Sequence, residues 1–155
     1  MKFGDVITAV ASLTVISILL VFVFLTVFVP VDSSWGIDAS NILSILVASL
    51  IVGYVFALKI QEESRMGAIG RIAVISAVVM MFATLTSLAV NPYMGTYMTE
   101  GLESMYSTSG WAAVDWLGYS HIVLMMIVAV NCVFALLFGF IGLYVGSMLR
   151  KPKKT

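Results

Sequence analysis

Four long apolar runs divide this chain, and they cover residues 6–29, 42–60, 72–90 and 120–149. A stretch of about 20 apolar residues is long enough to cross the hydrocarbon core of a bilayer as a helix. Backbone polar groups cannot stay unpaired in that core, and a helix satisfies them within its own segment. The sequence therefore predicts an all-α integral membrane protein whose four transmembrane helices form a bundle.

The distribution of charge predicts the orientation of these helices. The basic residues lie before the first run, at the inner end of the second run, between it and the third run, and after the fourth: Lys2, Lys59, Arg65, Arg71, Arg150, Lys151, Lys153 and Lys154. The two opposite loops carry only acids, which are Asp32, Asp38, Glu100, Glu103 and Asp115. Loops rich in Lys and Arg stay on the cytoplasmic side. We therefore expect a multi-pass protein of the cell membrane with both termini in the cytoplasm.

The composition agrees with a membrane protein and argues against other classes. Hydrophobic residues make up 61% of the chain and charged residues 10%, with a mean hydropathy of +1.10, whereas soluble domains are roughly 25% charged. The bases are too few in each segment to follow a phosphate backbone, so no nucleic-acid partner is expected. The single cysteine, Cys132, excludes an intrachain disulfide. We expect one four-span domain over residues 1–155.

The segments that connect the runs carry further predictions. Gly67 and Gly70 lie in the inner segment 61–70, which predicts a turn. The outer segment 91–119 is longer, and its methionines recur at helical spacing, which predicts a short amphipathic outer helix between the third and fourth spans. Tryptophans of this segment are typical of a membrane–water boundary. The predicted contact surface of the outer loop consists of Met94, Met98, Met105, Trp111 and Trp116.

Small residues at helical spacing predict where helices pack. In the fourth run they are Asn131, Ala135, Gly139, Gly142 and Gly146, and in the second run they are Ser49, Gly53 and Ala57. Small side chains let two helices approach closely, so that van der Waals contact and interhelical hydrogen bonds hold them together. We predict a helix-packing interface along these residues. Packing within the bundle is one interpretation, and contact with another subunit is the alternative.

The interiors of the four runs contain no Asp, Glu, Lys or Arg, although proton relays and ion-coupled transporters usually depend on such groups. No motif indicates a reaction, so the chain is expected to be neither an enzyme nor a cofactor-binding protein. A soft-metal site is the alternative, because His121, Met125 and Cys132 share a helical face and thioether, thiolate and imidazole groups suit Cu(I). Methionines at such spacing more often serve in packing.

These observations favour a small non-enzymatic membrane protein that serves as a structural or accessory subunit of a membrane complex. Its expected partners are the lipid bilayer and either other membrane subunits or further copies of itself. A small oligomeric transporter or channel, with or without soft-metal handling, is the alternative.

Overall fold

A computed structural model describes residues 1–28, 33–90 and 116–150, and it describes side chains within 1–28, 39–86, 126 and 128–150. This part of the chain is helical apart from short turns and ends, and it contains no strand. The helices are α1 (Phe3–Phe28), α2 (Ser33–Val55), α3 (Ala57–Gln61), α4 (Arg65–Val90) and α5 (Trp116–Leu149). The all-α prediction is confirmed for the described residues.

Three of the described helical segments are long and apolar enough to cross a membrane, judged by length and composition. They are Phe3–Phe28, Arg65–Thr86 and Val128–Leu149. The second predicted run corresponds to a shorter apolar helix, Ala39–Val55, within α2. Three helices that could span a membrane are thus present where the sequence predicts the first, third and fourth spans.

Two helices begin earlier than the apolar runs suggest. Helix α2 begins at Ser33 rather than near Ile42, and α4 begins at Arg65 rather than at Ile72. Hydropathy marks the part of a helix that suits hydrocarbon, whereas the helix itself can continue into polar surroundings. The apolar runs therefore locate the helices and underestimate their lengths.

The predicted turn over residues 61–70 is wrong in its second half, because Gly67 and Gly70 lie inside α4. Only the short stretch Glu62–Ser64 is non-helical. The hydroxyl of Ser64 accepts a hydrogen bond from the backbone N–H of Gly67 at 3.2 Å. A serine in this position caps the free N–H groups of a helix start, so Ser64 begins α4 despite the two glycines that follow.

The second apolar run is interrupted near its inner end, where α2 stops at Val55 and α3 starts at Ala57. The N–H of Phe56 still donates to the carbonyl of Val52 at 2.9 Å, and the N–H of Ile60 donates to the carbonyl of Phe56 at 3.0 Å. The N–H and the carbonyl oxygen of Phe56 thus both keep helical hydrogen bonds. The break between α2 and α3 is confined to this one residue.

The chain divides into two compact units, one made of Met1–Met80 with Val133–Thr155 and the other of Met81–Cys132. The core of the first unit takes residues from all five helices: Val6, Ala9, Val10, Leu13, Val52, Ile60, Ala68, Ile69, Ile72, Ala73 and Leu143. The second unit contains the end of α4 and the beginning of α5.

Candidate functional site

Helices α2 and α5 approach each other within the first unit so closely that glycine is the residue that fits. A Cβ atom added to Gly142 would lie 2.5 Å from the Cβ of Ser49 and 2.8 Å from the carbonyl oxygen of Leu46. Neither neighbour is the end of a flexible side chain that could move aside. Gly142 therefore lets α5 lie directly against the backbone of α2.

Two further glycines extend this contact along the helices. A Cβ on Gly146 would overlap the carbonyl oxygen of Leu50 and lie 2.9 Å from the backbone nitrogen of Tyr54. On α2, a Cβ on Gly53 would lie 2.6 Å from the carbonyl oxygen of Leu143. Each helix thus supplies glycine where the backbone of the other comes close. We call Gly53, Gly142 and Gly146 the glycine seam.

The other small residues of the predicted interface lie in less crowded surroundings. A Cβ on Gly139 would meet only the hydroxyl oxygen of Ser49, at an ordinary contact distance of 3.7 Å. Ala57 and Ala135 are buried in the first unit, and Asn131 is half-buried in the second unit. The structure therefore brings Ser49 together with Gly139 and Gly142, and it places Gly53 and Gly146 in the same helix pair.

The sequence did not reveal what lies opposite the glycines. Leu46, Leu50, Tyr54 and Leu143 contribute backbone atoms to the contact, and every residue type carries such atoms. Leu143 is in addition fully buried in the core, although its apolar side chain resembles many others in the run. No side-chain pattern distinguishes these residues in advance.

The outer-loop prediction concerns residues that the structure does not describe. Met94, Met98, Met105 and Trp111 lie outside the described ranges, as does the expected amphipathic helix. Trp116 is the first residue of α5, and its side chain lies outside the described part, as does that of His121. The contact surface and the soft-metal alternative both stay predictions.

Charged groups of the first unit meet where the start of α1 lies beside α3 and the turn that follows it. Lys59 forms an ion pair with Asp5. The amino group of Met1 lies 2.7 Å from one carboxylate oxygen of Glu63, and the guanidinium of Arg71 lies 2.9 Å from the other. These contacts connect α1, α3 and α4 at one end, which we call the charged end of the unit.

The two cations beside Glu63 lower the pKa of its carboxyl group below the ordinary value of 4.5. The hydrogen bond from the Met1 amino group is the largest cause, and partial burial acts in the opposite direction. A nearby positive charge favours the ionised form of a carboxyl group. Glu63 is therefore a carboxylate throughout the neutral range.

Side-chain hydrogen bonds join the interruption in the second run to the end of α5. The amide nitrogen of Gln61 donates to the carbonyl oxygens of Ser147 and Arg150 at 3.2 and 3.3 Å. In the opposite direction, the guanidinium of Arg150 donates to the carbonyl oxygens of Tyr54 and Val55 at 3.4 and 3.2 Å. Carbonyl groups at helix ends lack partners within the helix. We call these four hydrogen bonds the reciprocal clasp.

Within the described ranges, no group of three or more His, Cys, Asp and Glu side chains is arranged to hold a metal ion. What the described residues offer is close helix packing, a charged end and a clasp that joins two helices. No family model, curated protein or solved structure matches this chain.

Proposed function

We propose that this chain is a small, non-enzymatic integral membrane protein with four transmembrane helices, cytoplasmic termini and a structural or accessory role in a membrane complex. The observation that carries the proposal is the exposure of large apolar side chains along α1, α4 and α5. Phe22 in α1 is 66% exposed, Phe82 in α4 is 60% exposed and Leu137 in α5 is 56% exposed. Soluble proteins rarely expose extended apolar surface, whereas hydrocarbon covers it without penalty.

The second apolar run supports a fourth span, although its apolar helix, Ala39–Val55, is shorter than the three candidate spans. The apolar helix Ala39–Val55 is followed after Phe56 by α3, which ends at Gln61. At 1.5 Å per helical residue, 20 or so residues span roughly 30 Å. The glycine seam packs this run against α5, and the N–H and C=O groups of Phe56 keep helical hydrogen bonds across the interruption, as a bilayer requires of backbone polar groups.

The polar groups favour a passive role over transport. Among the side chains that the structure describes, the buried polar ones are all serines: Ser17, Ser40, Ser44, Ser49, Ser76 and Ser147. Ion-coupled transport usually requires ionisable groups within the membrane, and the described ion pairs lie at the charged end instead. Close helix packing with apolar outer faces suits a subunit that stabilises a larger assembly.

Membrane extraction tests the first part of this proposal. The chain should stay in the membrane pellet during an alkaline carbonate wash and should dissolve only when detergent is added. Release by carbonate would contradict membrane insertion.

Purification in mild detergent tests the accessory role. We expect another membrane protein to accompany the chain in constant stoichiometry, and mass spectrometry of the purified complex would identify it. A homogeneous oligomer of this chain alone would contradict the accessory role.

A small oligomeric transporter or channel is the second candidate, and one observation favours it. The hydroxyl oxygens of Ser17 and Ser76 are buried and have no hydrogen-bond partner among the described residues. Buried hydroxyls without partners are unfavourable, and water in a pathway would satisfy them. Liposomes that contain the purified chain should then conduct a small solute or ion, and Ser76→Ala should lower that flux. Absence of flux for a panel of ions and small polar solutes would leave the accessory role.

A further inference from the structure

The acidic side chains at the charged end neutralise only some of its bases. Asp5 pairs with Lys59, and Glu63 holds both the amino group of Met1 and the guanidinium of Arg71. These carboxylates are therefore already occupied by cations of the same chain. The bases that remain determine which charge this end presents to its surroundings.

Lys2 and Arg65 are the bases beside α1 and in α4 that remain, whereas Arg150 at the end of α5 has no ion pair within the described ranges but donates to the carbonyl oxygens of Tyr54 and Val55. Among the described residues neither Lys2 nor Arg65 forms an ion pair, and the third carboxylate of this end, that of Glu62, forms none with them.

Lys2 and Arg65 both lie at the charged end because Met1, next to Lys2, and Glu63, two residues before Arg65, form an ion pair there. Lys2 lies between Met1 and the start of α1, and its backbone N–H donates to Asp5 at 3.3 Å. Arg65 opens α4 two residues after Glu63.

Each of these two bases is followed in the chain by a large, exposed apolar residue. Phe3 follows Lys2 and is 77% exposed, and Met66 follows Arg65 and is 57% exposed. An exposed apolar side chain beside an unpaired base suits the boundary between hydrocarbon and headgroups, where the first enters the acyl region and the second reaches the phosphate. The same pattern occurs in two different helices, α1 and α4.

We propose that Lys2 and Arg65 form a surface that binds the phosphate groups of anionic phospholipids in the membrane leaflet facing the charged end. The inference rests on the proposed membrane insertion and adds a partner to it. Unpaired cations attract anionic headgroups, whereas a zwitterionic headgroup carries no net charge to attract. Paired bases such as Arg71 contribute less, because the Glu63 carboxylate beside Arg71 repels the lipid phosphate that its guanidinium attracts.

A lipid competition experiment tests the proposal on the full chain. The protein, purified in neutral detergent, is incubated with equal amounts of phosphatidylglycerol and phosphatidylcholine that have identical acyl chains. It is then re-isolated, and mass spectrometry measures the ratio of the two bound lipids. We expect phosphatidylglycerol to be enriched, and Lys2→Gln and Arg65→Gln each to lower the enrichment by up to about fivefold.

Arg71→Gln is the matched control because it removes the same charge from the same helix as Arg65→Gln. It should change the lipid ratio less than twofold, and Arg65→Lys should retain the enrichment because it retains the charge. Neither Lys2 nor Arg65 has an ion-pair partner among the described residues, so their variants should keep the thermal midpoint of the parent chain. If Arg71→Gln and Arg65→Gln lowered the ratio of phosphatidylglycerol to phosphatidylcholine equally, the enrichment would come from general charge attraction. That result would overturn the proposal.

The outcome separates this inference from the proposed function. A chain that resists carbonate but binds both lipids equally would contradict the lipid surface and leave membrane insertion intact. A chain that carbonate releases would contradict membrane insertion before any lipid is tested.

Discussion

The guanidinium group of Arg150 donates a hydrogen bond to the backbone carbonyl oxygen of Val55 across 3.2 Å. Val55 is the last residue of α2, so this contact lies at the interruption of the second apolar run. Gln61 donates in the opposite direction, to carbonyl groups at the end of α5. The reciprocal clasp and the glycine seam therefore hold the same part of the chain against α5.

Replacing Gln61 tests the clasp. Gln61→Leu keeps much of the side-chain volume but removes the amide that donates to the carbonyl oxygens of Ser147 and Arg150. The loss should lower the free energy of unfolding by about 1 kcal/mol, which circular dichroism would detect as a lower thermal midpoint in detergent. Glu62→Gln, in the adjacent exposed turn, is the control and should leave the midpoint unchanged. Identical midpoints for Gln61→Leu and the parent chain would show that the clasp contributes no stability.

The glycine seam allows a comparison of one substitution at two positions of α5. Gly146→Ala places a methyl group against the carbonyl oxygen of Leu50, which is backbone and cannot move aside. Overpacking of this kind typically costs about 1 to 3 kcal/mol. Gly139→Ala meets only ordinary contact with Ser49, and alanine favours a helix by up to about 1 kcal/mol over glycine.

We therefore expect Gly146→Ala to lower the thermal midpoint in detergent and Gly139→Ala to leave it unchanged or raise it. Both variants add one methyl group to the same helix, so helix propensity cannot account for opposite results. Equal shifts would mean that α2 and α5 are not closely packed in the purified protein.

Part of this packing could be predicted from the sequence, because residues three or four positions apart in a helix lie on the same face. Gly142 and Gly146 lie one turn apart, so the spacing alone identifies their common face. Their partners could not be predicted in the same way, because Leu46 and Leu50 contribute backbone atoms. The clasp was also beyond prediction, since Gln61 and Arg150 are far apart in the chain and polar residues at helix ends are common.

The sequence predicts the helix boundaries less well than the helix faces, for a different reason. Ser64 is a usual capping residue, and it could have indicated the start of α4, but Gly67 and Gly70 favoured a longer turn. The interruption at Phe56 has no local cause in the sequence, which has neither proline nor a polar residue at this point. The hydrogen bonds from Arg150 to the carbonyl oxygens of Tyr54 and Val55, just before Phe56, depend on tertiary contact. A local sequence pattern does not predict such contact.

The ion pairs of Glu63 predict a dependence of stability on acid. The pKa of its carboxyl group is lower in the folded chain than the ordinary value of 4.5. A carboxyl group whose pKa is lower in the folded chain than in the unfolded chain stabilises the fold at pH values above the unfolded pKa. This contribution is lost as the pH falls through the folded pKa. The thermal midpoint should therefore hold steady from about pH 7 to about pH 5 and decline below about pH 4.5.

The variant Glu63→Gln should decline less steeply than the parent chain over the acid range, because it has no carboxylate to protonate. Glu62→Gln is the matched control, since Glu62 forms no ion pair within the described residues, and it should follow the parent chain. A Glu63→Gln curve that coincides with the parent curve would exclude these ion pairs as a source of acid sensitivity.

The proposed orientation can be tested by labelling single cysteines. Cys132→Ser removes the native thiol, and Glu62→Cys then places a thiol in the exposed turn before α4, on the side where the bases cluster. Ser104→Cys places one in the acidic outer segment. Because positively charged segments stay in the cytoplasm, an impermeant maleimide should label Ser104→Cys in intact cells and should label Glu62→Cys only after permeabilisation. Labelling of Glu62→Cys alone in intact cells would reverse the orientation and would assign the lipid-binding surface to the opposite leaflet.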